Sequence, residues 1–368
     1  MNNYLKKDSV DPTVELSNTF NDYISSIDSL NEEYFLTFQN SLNVRFYKEQ
    51  ERWFRELKFR LKDEYSFKCS IDYINLHSEN SGLMSFIMGI YDSSGKHKSL
   101  RVVYSIKKNK ENRWVIDDLP FEIKKTGLYV IKYLPYNKDS ALYVHSFINE
   151  VTLIYMNIFN WEPKSNDIKI YSNLDEISIS IPTFSVYGWS EMDESIKIYI
   201  PETSEYKYET LFQIIVHELC HMMLSDKTNG NASLYIQEGL AVYFENYFVH
   251  KDKKIITSSE QVERYLKDLL KKTDDKFYDI NQLNNLSYND GRAIYNHGFL
   301  LVYFLIKKFG VIKFNEFIDL LRTFEYIDRR VRYKLEEVNE RTTTSLEEVY
   351  GDQKLILKEM QKFYLKYY

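Results

Sequence analysis

Two apolar runs joined by a short polar break constrain this chain more than any other feature: LFQIIVHELCHMML (211–224), SDKTNGN (225–231) and ASLYIQEGLAVYFENYF (232–248). Each run is long enough for a helix, and the Asn and Gly of the break carry helix-stop chemistry, so the second helix is expected to double back along the first. Residues four apart share a helix face, which aims His217 and His221 at one point with Glu218 beside them; the returning helix brings Glu238 to the same place. Two His and one carboxylate form a metal-ligand set that leaves a coordination position open. Cys220 lies about 100° around the helix from His221 and is expected to be a small buried residue, not a ligand. The plain alternative is a helix with two unrelated histidines. Against it stands the apolar run Leu211, Phe212, Ile214 and Ile215, which suits a helix buried beneath a site.

HELCH fits the HExxH pattern of zinc hydrolases. Together with QEGLAVYFE it resembles the gluzincin metallopeptidases, the clan of thermolysin and of the aminopeptidase N-like enzymes, and is similar above all to bacterial peptidase MA-like domains. The resemblance implies a zincin (thermolysin-like) catalytic domain, Zn2+ held by His217, His221 and Glu238, and Glu218 as general base. Sixteen residues separate His221 from Glu238, fewer than is usual in thermolysin-like and aminopeptidase N-like enzymes, so a shorter connecting turn is expected. GWSEM (188–192) is similar to the GxMEN motif of the aminopeptidase branch, which implies Gly188 and Glu191 as substrate-binding residues, with Glu191 the counter-ion of a free amino terminus. The Met and Asn of that motif are not matched, and the other reading of Glu191 is a solvated turn acid. The strand from Ser190 to Ile200 is expected to be an edge to which a peptide adds its backbone. AIYNHGFLLVYFLIKKFG (293–310) resembles the gluzincin Y-x-x-G helix, with fifteen residues from Tyr295 to the helix-ending Gly310. That implies Tyr295 as donor to the oxyanion. His297 is a rival donor or, the favoured reading, a helix-surface residue, and Tyr303 is the alternative phenol. The resemblance spans about Asp167 to Tyr368, where SLEEVYG is similar to the terminal helices of peptidase MA-like domains.

The rest of the chain predicts an α+β fold. Residues 1–25 are polar and read as a flexible arm, and 26–125 as a small α+β accessory domain: a long helix over 27–62, then a meander of four short strands to Phe121. Its RWVIDDL resembles the last strands of nuclear transport factor-like domains, and Asp117 and Asp118 read as a turn or cap, not a catalytic pair. Residues 126–368 read as the catalytic domain with a helical C-terminal part. Within it 124–139 is a connector, 140–161 a buried helix, and DIKIYSN and EISISIP strands. Ser259, and Ser345 with Glu348, are expected to cap helices.

A net charge of −6 with no basic stripe argues against nucleic acid as a partner. Two cysteines cannot make a disulfide framework. No run of about 18 apolar residues occurs and the N-terminus has no leader-like core, so the chain reads as soluble, cytoplasmic by default and extracytoplasmic if a leader has been removed. The expected partner is a peptide or protein substrate; aminopeptidase and endopeptidase both stay open, and the sequence does not set the oligomeric state. The reading from another class is a zincin-fold scaffold without catalysis, which has no need of Glu218.

Overall fold

The computed structural model describes residues 12–61, 66–91, 94, 97–180, 188–201, 207–252, 254–273, 276–327 and 334–367. The chain is α+β. No helix among the described residues is long and apolar enough to cross a membrane.

Three helices open the chain: α1 (Pro12–Asp28), α2 (Glu32–Thr37) and α3 (Val44–Leu61). From Pro12 onward the expected flexible arm is therefore a helix; the first eleven positions of that arm lie outside the described residues. Leu16, Phe20, Tyr23 and Ile27 recur at three- and four-residue steps and are all buried, so α1 is held by its apolar stripe, not by its polar majority. The single helix expected over 27–62 is broken twice. Asn31 caps α2, accepting from the Tyr34 N–H at 3.1 Å. Gln39 then forms a parallel bridge with Ile116 of β4 (Trp114–Ile116): Ile116 N–H bonds Phe38 O at 2.8 Å and Asn40 N–H bonds Ile116 O at 2.9 Å. As expected, β1 (Ser66–Ser78), β2 (Ser81–Tyr91), β3 (His97–Lys108) and β4 form an antiparallel meander in that order. Phe20 and Tyr23 meet Phe86 of this sheet, and Trp53 of α3 meets Phe67.

A second, five-stranded sheet has the order β5-β6-β7-β9-β8. Its first strands, β5 (Glu122–Thr126) and β6 (Tyr129–Tyr133), form a hairpin around Gly127 (φ +53°) where a connector was expected, so the sheet begins before the expected boundary at 125. Helix α4 (Lys138–Phe159) is the crossover that parallel pairing of β6 with β7 (Asn166–Tyr171) requires. EISISIP alternates like a strand, yet Asn173 caps α5 (Leu174–Ile177), and the carbonyls that follow accept from α3: Ser178 O from Trp53 Nε1 at 3.1 Å, Ile179 O from Gln50 at 2.9 Å. Nor is β9 (Ile196–Tyr199) an edge, because the two-residue β8 (Gly188–Trp189) pairs with it.

Alternation gives this sheet two unlike faces. Ile131, Ile168, Ile170, Ile196 and Ile198 join the apolar core of the helices behind it. On the other face Lys132, Lys169 and Lys197 stand opposite one another in register. Each finds its counter-charges in or beside the N-terminal layer. Lys169 Nζ lies 2.6 Å from both Glu49 and Asp118, and Lys197 Nζ lies 2.8 Å from Glu194 and 3.5 Å from Glu49. Arg52 donates twice to Glu194, at 2.8 and 2.7 Å, and Lys132 pairs with Asp167 at 2.8 Å. Burial alone would raise Glu49's pKa, but Lys169 and Lys197 hold it well below the carboxylate range. Asp118, at φ +69°, is thus more than a turn residue: it is a buried counter-ion.

The C-terminal half is built from α6 (Lys207–Thr228), α7 (Leu234–Tyr247), the hairpin β10 (Phe248–Lys251) and β11 (Lys254–Thr257), α8 (Ser259–Thr273), α9 (Ile280–Asn284), α10 (Ala293–Phe309), α11 (Val311–Leu321), α12 (Leu335–Tyr350) and α13 (Gln353–Tyr364). Ser258, not Ser259, caps α8, accepting from Gln261 N–H at 3.2 Å. Ser345 is buried inside α12, so the expected capping box there does not form; α12 stops at Gly351 (φ +95°) and Asp352 caps α13.

Helices α7 and α10 cross backbone to backbone. A Cβ on Gly239 would lie 2.3 Å from the carbonyl of Gly298, and one on Gly298 would lie 2.2 Å from Tyr235 O. Gly298→Ala should therefore cost about 1–3 kcal/mol by forcing the helices apart, read as a lower urea midpoint at unchanged slope. A wild-type midpoint would show that the crossing has slack.

Candidate metal centre

The first ligand helix is anchored before its histidines are reached. Leu211, Phe212, Ile215 and Val216 are buried, and Tyr155 of α4 donates to Val216 O at 3.0 Å. Helix α6 ends at Asn229 and Gly230, both at positive φ, with Gly230 N–H returning to Ser225 O at 3.0 Å. This is the six-to-one bond of a Schellman stop. Asn231 follows, its amide on Thr228 O at 2.9 Å, and α7 runs back along α6. The short turn read from the sequence is therefore present.

His217, His221 and Glu238 converge: one ligand atom from each lies within 4.8 Å of the others. His217 Nε2 is 3.2 Å from Glu238 Oε2 and His221 Nε2 is 3.5 Å from Oε1. A tetrahedral ion with bonds of about 2.0–2.1 Å places its donors about 3.3 Å apart, so these separations suit zinc. The donor set suits it too. Glu238 is buried, whereas the imidazole side chains keep 15% and 12% of their surface exposed, so the cluster lies open on one side.

Charge runs through the site in one connected group. Burial opposes protonation of His217, but hydrogen bonds to Glu238 and Glu245 outweigh it and hold its pKa well above the ordinary value. Burial would raise Glu238, yet His221 and His217 keep it far below the carboxylate range. Glu218 goes the other way: buried, it is raised chiefly by desolvation and also by Glu238, in spite of both histidines. Its Oε2 has no hydrogen-bond partner among the described residues. Tyr295 stands over the cluster, its ring centroid 6.4 Å from that of His217, and its phenol is pushed up by burial and by Glu238 and Glu218.

Two residues at the cluster were missed in the sequence. Glu245 Oε2 is 3.2 Å from His217 Nδ1 and orients that ring; its position seven residues after Glu238 on the same helix was a usable signal. Tyr288 donates to Glu238 Oε1 at 2.9 Å from a turn fifty residues away, which no local pattern announces.

Gly188 is in β8, paired with Ile198, and Glu191 is among the charges that raise the pKa of Arg52. His297 is not on the helix surface: it is buried and stacked on Tyr278 at 3.7 Å. Tyr303 is fully buried with its hydroxyl 3.0 Å from that of Tyr367. Comparison with protein-family models and with curated proteins finds no match to this chain.

Proposed function

We propose that the protein is a zinc-dependent peptidase of gluzincin type, hydrolysing peptide bonds in a peptide or protein substrate. The observation that carries this reading is the convergence of His217, His221 and Glu238, whose ligand atoms lie within 4.8 Å of one another, with Glu218 buried beside them. A zinc ion held by those three supplies Lewis acidity, making a water acidic near neutral pH and drawing charge from a carbonyl oxygen. Glu218 takes the proton of that water and returns it to the leaving nitrogen; a raised pKa suits a group that must both accept and release it. Glu245 holds His217 in orientation. Tyr295 donates from α10 to the oxygen that gains negative charge.

The test is purification with zinc, metal analysis, and incubation with a diverse peptide mixture read by mass spectrometry. About one zinc per chain and cleavage of peptide bonds are expected, with Glu238→Ala losing most of the metal. Zinc content unchanged in a His217→Ala, His221→Ala double variant would end the site assignment, and bound zinc without any cleavage would leave a scaffold. Cut positions separate aminopeptidase from endopeptidase.

Tyr295→Phe removes only a hydroxyl. It should lower kcat about a hundred- to a thousandfold with KM little changed, since the donor acts on the transition state and not on bound substrate. Tyr303→Phe, altering a core hydroxyl pair, is the control. The reverse outcome would move the role away from Tyr295.

A further inference from the structure

The turn ahead of α10 delivers a residue that lies outside the ligand pattern. Ser287 N–H and Oγ both donate to Asp290 Oδ2, at 2.8 Å each, and Gly291 follows at φ +60°, so residues 288–290 make one tight 3₁₀ turn. From this turn Tyr288, 52% exposed, sends its hydroxyl to the buried Glu238 Oε1 at 2.9 Å. Oε1 accepts from the phenol and lies 3.5 Å from His221 Nε2, while Oε2 lies 3.2 Å from His217 Nε2. A carboxylate free to turn would lose that facing; the phenol fixes it.

We propose that Tyr288 is a positioning residue of the metal centre, its phenol holding the Glu238 carboxylate in the orientation that faces both His217 and His221. The inference rests on the zinc reading above. It differs from the role given to Tyr295, because Tyr288 acts on a ligand and not on the substrate. It also gives a reason for a large tyrosine, half in solvent, to turn its hydroxyl inward.

The test uses the full chain as wild type, Tyr288→Phe and Asp290→Asn. Each is titrated with zinc against a competing chelator and, separately, with cobalt(II), whose visible absorption weakens as coordination number rises. Outer-shell partners typically account for a 10- to 100-fold change in metal affinity. Tyr288→Phe is expected to bind zinc about 10- to 100-fold more weakly and to alter the cobalt band, with the thermal midpoint of the metal-free protein unchanged. Asp290→Asn, which loosens the turn without touching Glu238, should shift both readings in the same direction by less. It decides the matter if Tyr288→Phe lowers the thermal midpoint. Zinc affinity and cobalt spectrum equal to wild type in both variants overturn the assignment of Tyr288 and leave the zinc reading standing. A wild type that takes up neither ion overturns both.

Discussion

Glu218→Gln should keep zinc at the wild-type ratio and lose peptide hydrolysis by a factor of about 10² to 10⁴, the usual contribution of a positioned general base. The substitution preserves volume at a side chain that is 5% exposed, so packing around α6 is little changed. It does not remove a member of the converging triad either, since the three groups that meet are His217, His221 and Glu238. What it removes is a carboxylate whose Oε2 has no hydrogen-bond partner among the described residues and whose pKa is lifted by burial. Metal analysis and kcat/KM on one preparation separate ligand from base. Wild-type turnover in this variant would sink the mechanism, whereas loss of zinc along with activity would make Glu218 a ligand.

The second large effect is on stability and lies on the far side of the sheet. Glu49→Gln should destabilise the protein by about 3–5 kcal/mol, because removing one partner leaves buried charge behind. Among the described residues Lys169 would keep Asp118 within ion-pair distance and Lys197 would keep Glu194, in a setting where all these side chains are almost fully buried. Ser195 would also lose the carboxylate that its N–H and Oγ both meet. Glu49 is held well below the ordinary carboxylate range, so its contribution is present above the unfolded-state pKa of about 4.3 and is lost as pH falls through the folded value. The gap between variant and parent should accordingly be flat between about pH 5 and 8 and narrow only in acid. Arg55→Gln is the contrast: its partners Glu32 and Glu51 lie at the surface, with Arg55 itself 49% exposed, and the cost should be below about 1 kcal/mol. Similar urea midpoints for the two variants would show the buried pairs to be worth no more than surface ones.

These two effects differ in how far the sequence announced them. The ligand helices were legible because HELCH and QEGLAVYFE join a periodic apolar pattern to chemically rare residues, and the Asn and Gly between them name the turn. Alternation made the four-stranded meander legible for similar reasons. By contrast, α1 hides four apolar residues among Ser, Asn, Thr and Asp. The strand β5 carries a single apolar residue, Ile123, which is exposed. EISISIP has the period of a strand, but its carbonyls are satisfied by α3 side chains, a tertiary demand that local pattern does not contain. Nothing local to IKY, IKI and IKI marks their lysines as buried. Only the folded sheet brings them into register beneath Glu49, Asp118 and Glu194. The repeat of Ile-Lys in three strands was the available hint. At the cluster itself, spacing was enough to bring His217, His221 and Glu238 together, and a family resemblance pointed to Tyr295 nearby, whereas Tyr288 depends on where a loop lands.

The glycine crossing of α7 and α10 also bears on how a chain of this kind can diverge. Glu238 precedes Gly239 directly, and Tyr295 stands one turn before Gly298, so the two glycines set the gap across which carboxylate and phenol face each other. A side chain added to either meets main chain, which a smaller residue at the other position cannot relieve, since none is smaller. The pair therefore drifts together or not at all. A descendant that enlarged one would have to rebuild the spacing between the helix that carries Glu238 and the helix that carries Tyr295.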